Sequence, residues 1–216
     1  MTLYYQDDAV TLYHGNCLTE HREWLEADVL VTDPPYGISW TKGENRRSKS
    51  RKHRGIDNDG DTTARDTAIQ AWGDRPAVVF GTWAEQVPGA KQTLVWQKPI
   101  DAGVVGSVCG YRRDTELMFL LGEHERRPAG RSSVITTRGS IHGYLEGHPH
   151  SKPTGLMRAL IEWTSGVVAD PFAGSGSTLV AAKSLGRKSI GVELDERYCE
   201  IAAKRLSQGV LDLAGA

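Results

Sequence analysis

A mostly parallel α/β sheet with helices on both faces is the fold this sequence predicts, and three observations predict it. Short β-branched runs, among them Val29-Leu30-Val31 and Val167-Val168-Ala169, alternate with longer segments of helical character. Three such runs end on an acid at a turn: Asp33, Asp170 and Glu193. The turn after Asp170 is glycine-rich and opens directly into a helical stretch, an arrangement that places a ligand beyond the carboxyl end of a strand. With 216 residues the chain can bury a core as one domain, 1–216, and it shows no internal repeat.

The elements follow in order. Val10 to His14 reads as a strand, Leu18 to Leu25 as a helix, and Val29 to Thr32 as the strand that feeds the first acidic turn. Thr62 to Trp72 is helical and Ala77 to Phe80 an apolar strand; Thr82 to Val87 predicts a short helix and Thr93 to Trp96 another strand. Glu116 to Leu121 completes the centre of the sheet, and residues 122–147 lack a sustained period and read as loop. Thr154 to Thr164 is helical, Val167 to Ala169 a strand, Leu179 to Leu185 a helix and Ser189 to Val192 a strand. Asp195 is the natural N-cap of a last helix reaching Ser207.

The turn after Val31 is Asp33-Pro34-Pro35-Tyr36. Consecutive prolines fix their own φ and bias the residue before each toward extended geometry. A carboxylate, a carbonyl that no helix claims and an aromatic face are thereby held together, a corner able to grip a planar group that carries an NH2.

The second acidic turn runs Asp170-Pro171-Phe172-Ala173-Gly174-Ser175-Gly176-Ser177-Thr178. Its glycines allow close backbone approach, and the helix behind it offers free N–H groups. No Lys-Ser or Lys-Thr follows, so it is no P-loop; the third glycine of a dinucleotide fingerprint is missing, and Asp170 would repel a pyrophosphate. An acid ahead of the loop suits a cation such as the amino group of a methionine moiety. Glu193, nineteen residues beyond Gly174, suits a ribose diol. The loop reads as a site for S-adenosyl-L-methionine (AdoMet).

Together these motifs resemble the DNA amino-methyltransferases that act on adenine N6 or cytosine N4, in the permuted order of the β-type group, with the DPPY motif first and the cofactor loop last. The resemblance covers nearly the whole chain. It implies the Rossmann-like fold of AdoMet-dependent methyltransferases, with Asp33, Pro34, Pro35 and Tyr36 as the catalytic motif. Leu12 to Cys17 resembles the segment near the cofactor adenine, placing Asn16 and Cys17 there, although Asn16 stands where the family usually carries Asp. His148-Pro149-His150-Ser151-Lys152-Pro153 resembles the segment that forms the methionine pocket, which assigns Lys152 to the cofactor. Asp33, Asp170, Pro171, Phe172, Gly174, Ser175, Gly176, Ser177, Thr178, Glu193 and Leu194 complete the cofactor set. The resemblance favours adenine N6 over cytosine N4, a flipped-out base in double-stranded DNA, and a homodimer. A non-catalytic DNA- or nucleotide-binding module is the reading from another class, and the intact Asp33, Tyr36, Asp170 and Glu193 oppose it.

Charge supplies the DNA surface. The chain carries −1 overall, yet Lys42, Arg46, Arg47, Lys49, Arg51, Lys52 and Arg54 give residues 42–54 a net of +6, so the remainder carries −7. Lying six residues past Tyr36, this run reads as a mobile loop, 42–60, able to neutralise phosphates beside the target nucleotide. The resemblance further implies that residues 122–147 are the target-recognition segment, here short, with Arg126, Arg127, Arg131 and Arg138 as candidate phosphate or guanine contacts. Cys17, Cys109 and Cys199 are odd in number and lack a C-x-x-C pair, which points to reduced thiols in a cytoplasmic protein without a structural metal. His148 and His150 lack further ligand partners, so no metal is expected. No apolar run approaches the roughly 18 residues that a membrane span needs.

Overall fold

The computed structural model describes residues 2–36, 60–102, 109–125, 129–137 and 151–208. Its strands are β1 (Thr2–Gln6), β2 (Val10–His14), β3 (Val29–Thr32), β4 (Ala77–Gly81), β5 (Gln92–Gln97), β6 (Thr115–Leu121), β7 (Val134–Thr136), β8 (Val168–Asp170) and β9 (Ser189–Glu193). The helices are α1 (Thr63–Trp72), α2 (Thr154–Ile161), α3 (Ser177–Ser184) and α4 (Glu196–Ser207). One sheet holds all nine strands in the order β1-β2-β9-β8-β3-β4-β6-β5-β7.

The expected parallel character holds from β2 through β9, β8 and β3 to β4. β6 departs from it, running antiparallel to both β4 and β5. Hydrophobic alternation does not encode strand direction, so the sequence could not show this reversal. It matters for the site, because β6 delivers its first residues to the edge where β3, β4 and β5 deliver their last: Leu117 pairs with Gly81 and Glu116 with Trp96.

Alternation along β3 sends Leu30 to one face of the sheet and Val29 and Val31 to the other. The first face packs Leu30 with Trp24, Trp72, Val79, Phe119 and Val192, and the Trp24 and Trp72 rings stack at 5.9 Å. The second packs Val29 and Val31 with Phe80, Met118, Leu156 and Met157. Both faces of β3 are therefore buried, which leaves only its carboxyl end open to ligand.

Two expected helices are absent. In place of a helix over Leu18 to Leu25 there is a turn and a single 3-10 stretch, Glu23–Glu26. Asn16 diverts the backbone: its side chain accepts from the Leu18 N–H at 2.8 Å and its carbonyl from the Glu20 and His21 N–H groups. The Trp24 indole then donates to the Cys17 carbonyl at 2.9 Å. Over Thr82 to Val87 the buried Arg65 guanidinium takes the Glu85 and Gln86 carbonyls at 3.3 and 3.0 Å, leaving them no helical role. Two strands were not expected, β1 on one edge and β7 inside the segment read as loop. Asp195 caps α4 as expected, accepting from the Arg197 N–H at 3.0 Å. Among the described residues no helix is long and apolar enough to cross a membrane.

Candidate active site

The two acidic turns leave adjacent strands. β3 and β8 pair in parallel, Leu30 with Ala169, so Asp33 and the loop after Asp170 emerge side by side. Thr32 joins them, its hydroxyl donating to Asp170 Oδ1 at 2.7 Å. Asp170 is buried and also accepts from the Phe172 N–H at 3.2 Å. Burial pushes its carboxyl up to about 7, against the pull of the Thr178 and Thr32 hydroxyls. Among the described residues no Lys or Arg pairs with it.

The loop itself is held from three sides. Gly174 and Gly176 sit at φ 52° and 79°, the left-handed region, and a Cβ on Gly176 would lie 2.9 Å from the Ala202 methyl of α4. Glu193 braces the turn, Oε2 accepting from the Gly174 N–H at 2.7 Å and Oε1 from the Asp195 N–H at 2.8 Å. Arg205 of α4 donates to the Ser175 carbonyl at 2.6 Å and to the Ser175 and Ser177 hydroxyls at 3.1 and 3.2 Å. The Ser151 hydroxyl lies 3.0 Å from Ser177 and accepts from Ser175 at 3.1 Å. No carboxylate among the described residues pairs with Arg205. Ser177 and Thr178 begin α3, buried at its N-terminus, and Pro171 is buried beside them.

The segment from Leu12 to Cys17, expected near the cofactor adenine, reaches the same edge. His14 pairs with Glu193 across β2 and β9, and the Gly15 N–H donates to the Glu193 carbonyl at 2.9 Å. Asn16 is committed to its own turn, with its N–H donating to Glu20 at 2.9 Å. The Cys17 side chain points into the core, where burial pushes its thiol up to about 12. Leu194 is exposed, and its carbonyl lies 3.1 Å from His14 Nε2.

The Asp33-Pro34-Pro35-Tyr36 corner holds more charge than its sequence shows. Asp33 Oδ2 is 2.7 Å from the Lys152 ammonium, and Asp33 Oδ1 accepts from the Tyr36 hydroxyl at 2.6 Å. Lys152 is also 2.7 Å from Glu116 Oε1, and Lys98 lies 3.0 Å from Glu116 Oε2. The Tyr36 hydroxyl is 2.7 Å from Glu116 Oε1 as well. Phe80 lies beneath Lys152, its ring centroid 4.8 Å from the ammonium. Burial opposes ionisation of Glu116, but Lys152 and Lys98 outweigh it and hold the carboxyl far below its usual range. Burial likewise opposes the charge on Lys152, and Asp33 and Glu116 outweigh it, so the ammonium is retained. The Tyr36 phenol is pushed well above its usual range by burial and by the two carboxylates. The nearly buried Lys152 and the half-buried Lys98 thus meet two carboxylates, and for Lys152 the pairing offsets desolvation that would otherwise cost several kcal/mol.

The structure brings Asp33, Tyr36, Lys152, Asp170, Gly174 and Glu193 to one edge of the sheet, and Lys152, expected at the cofactor, pairs with the Asp33 carboxylate. Glu116, Lys98 and Arg205 were missed. One signal for Glu116 was available: an acid two residues before Met118 in a strand faces the side on which Met118 is buried. Arg131 donates to the Ala159 carbonyl at 2.8 Å and lies 5.3 Å over the Trp163 ring, so it packs against the end of α2. Lys42, Arg46, Arg47, Lys49, Arg51, Lys52 and Arg54 lie outside the described residues, as do Arg126, Arg127, Arg138, His148 and His150.

A family model for N6 and N4 methyltransferases, described as DNA methylase, matches residues 84–204, which include Glu116, Lys152 and the loop. YubD of Escherichia coli (strain K12), named as a methylase, is 48% identical over 83% of this chain and 82% of its own length. The crystal structure of the M1.HpyAVI-SAM complex superposes with a TM-score of 0.64 at 20% identity, covering 91% of this chain and 98% of that one. The cytosine-N4-specific PvuII DNA methyltransferase gives 0.61 at 15% identity, covering 94% and 88%. These two likenesses establish a shared fold.

Proposed function

The chain belongs to the N6/N4 DNA methylase family, and from that premise we propose that it methylates the exocyclic N6 of an adenine flipped out of double-stranded DNA, using AdoMet. The observation that carries the reading is the Thr32–Asp170 bond. It ties the Asp33-Pro34-Pro35-Tyr36 corner to the glycine loop across adjacent parallel strands.

The loop suits AdoMet because its two ends carry opposite, uncompensated charges. Asp170 would hold the amino group of the methionine moiety, Arg205 with Ser175 and Ser177 its carboxylate, and Glu193 the ribose hydroxyls. Bound AdoMet supplies an electrophilic methyl group on a sulfonium. The chain's own part is to prepare the amine. An exocyclic nitrogen conjugated with its ring is a poor nucleophile, and Asp33 with the Pro34 carbonyl would accept its two N–H groups and free the lone pair. Positive charge that builds on nitrogen is stabilised by the Asp33 carboxylate. Holding the amine in line replaces a bimolecular encounter with a positioned one. Tyr36 offers its ring to the base, and the basic run 42–54 offers charge to flanking phosphates.

Adenine is favoured over cytosine because it gives Tyr36 a larger ring and leaves its pair with one fewer hydrogen bond. Nucleoside mass spectrometry of DNA incubated with the protein and AdoMet is expected to show N6-methyladenine. N4-methylcytosine as the main product would overturn the adenine assignment.

Asp170 sets a pH dependence for cofactor binding. Its carboxyl sits near 7 in the ligand-free protein and must ionise to hold an ammonium group. AdoMet affinity is therefore expected to fall about fivefold from pH 7 to pH 6, and toward tenfold per unit below that. Isothermal titration across this window tests it, with Asp170→Asn losing both affinity and the slope. A flat profile in the unsubstituted protein would remove Asp170 from the ammonium site.

A further inference from the structure

Both oxygens of Asp33 are already taken: Oδ2 by Lys152 at 2.7 Å and Oδ1 by Tyr36 at 2.6 Å. Each oxygen keeps a second lone pair, but a target amine competes with both donors and gains the full charge of Asp33 only by exchange. We propose that Glu116 is a positioning residue that makes the exchange possible, retaining the Lys152 ammonium and accepting the Tyr36 hydroxyl's hydrogen bond when the amine claims Asp33. The inference rests on the methyl-transfer reading, since the exchange has a purpose only if an amine must reach Asp33.

Every bond the exchange requires is within reach before it happens. Lys152 stands 2.7 Å from each carboxylate, and its three N–H donors serve both. Tyr36 has one proton and lies 2.6 Å from Asp33 and 2.7 Å from Glu116, so it donates to one and can turn to the other. No side chain has to travel. Without Glu116, release of Asp33 would strand a buried ammonium, and the pair would stay closed against substrate. Lys98, following β5, holds the other Glu116 oxygen at 3.0 Å, so Glu116 remains an anion throughout. The groups around the ammonium are thus Asp33 and Tyr36 after β3, Phe80 on β4 and Glu116 on β6, with Lys98 after β5 on the other Glu116 oxygen.

Two measurements test the role. In steady-state transfer, Glu116→Gln is expected to lower kcat at least tenfold while AdoMet affinity stays within twofold, a split that a general loss of structure would not give. In thermal unfolding, Asp33→Asn and Glu116→Gln are each expected to lose little, because Lys152 keeps one carboxylate. The double variant should lose more than the two together. A Glu116→Gln protein with unreduced kcat, or additive melting losses, would overturn the role. An unsubstituted protein that transfers no label from tritiated AdoMet to DNA would overturn the methyl-transfer reading instead. The melting cycle then still decides whether Glu116 shares Lys152.

Discussion

Replacing Asp33 with alanine is expected to lower kcat for methyl transfer by about 10²–10³-fold, the usual cost of removing one preorganised electrostatic partner of the transition state. AdoMet affinity should stay within about twofold. The separation follows from where the bonds go. Asp33 is bonded to Lys152 and Tyr36, whereas the loop is held by Thr32 through Asp170, by Glu193 and by Arg205. None of those braces runs through the Asp33 carboxylate. Lys152 also keeps Glu116 at 2.7 Å, so the substitution leaves no unpaired buried ammonium and the protein should remain folded. Steady-state transfer to DNA paired with calorimetric titration of AdoMet measures the two halves. A parallel loss of cofactor binding would contradict the division of labour.

The parts of this site that were legible in the sequence are those written in contiguous residues. Asp33 to Tyr36 and Asp170 to Thr178 announce themselves through proline and glycine, whose backbone restrictions act locally and survive any tertiary context. The Asp195 cap is local in the same way. The charge cluster is not. Tyr36 meets Glu116 across 80 positions and Lys152 across 116, and the meeting depends on β6 entering the sheet reversed. Hydrophobic periodicity is the same for either direction of a strand, so no pattern in Thr115 to Leu121 reveals which end of β6 reaches the ligand edge. The missing helix over Leu18 to Leu25 failed for a different reason. The stretch holds no glycine or proline to stop a helix, but Asn16 and Trp24 satisfy the backbone through side-chain bonds that compete with helix formation. Arg205 escaped notice because the last turn of a surface helix normally carries exposed cations, and nothing local marks this one as turned toward the loop.

Glu193→Ala is the complementary substitution, expected to spare the chemistry of the corner and weaken AdoMet by about 1–3 kcal/mol, roughly 5- to 150-fold. Two causes contribute. In the proposed site the carboxylate would hold the ribose hydroxyls, and it accepts the Gly174 and Asp195 N–H groups that fix the loop and the start of α4. Alanine leaves both N–H groups without their acceptor, so the melting temperature should fall together with affinity. Glu193→Gln keeps one carbonyl oxygen as an acceptor and should be intermediate in both. The causes separate when a cofactor analogue lacking the ribose hydroxyls is titrated beside AdoMet. If Glu193 holds the diol, the unsubstituted protein prefers AdoMet and the alanine variant loses that preference. If the variant keeps the full preference while still binding more weakly, Glu193 acts on the loop alone and the ribose contact belongs to another residue.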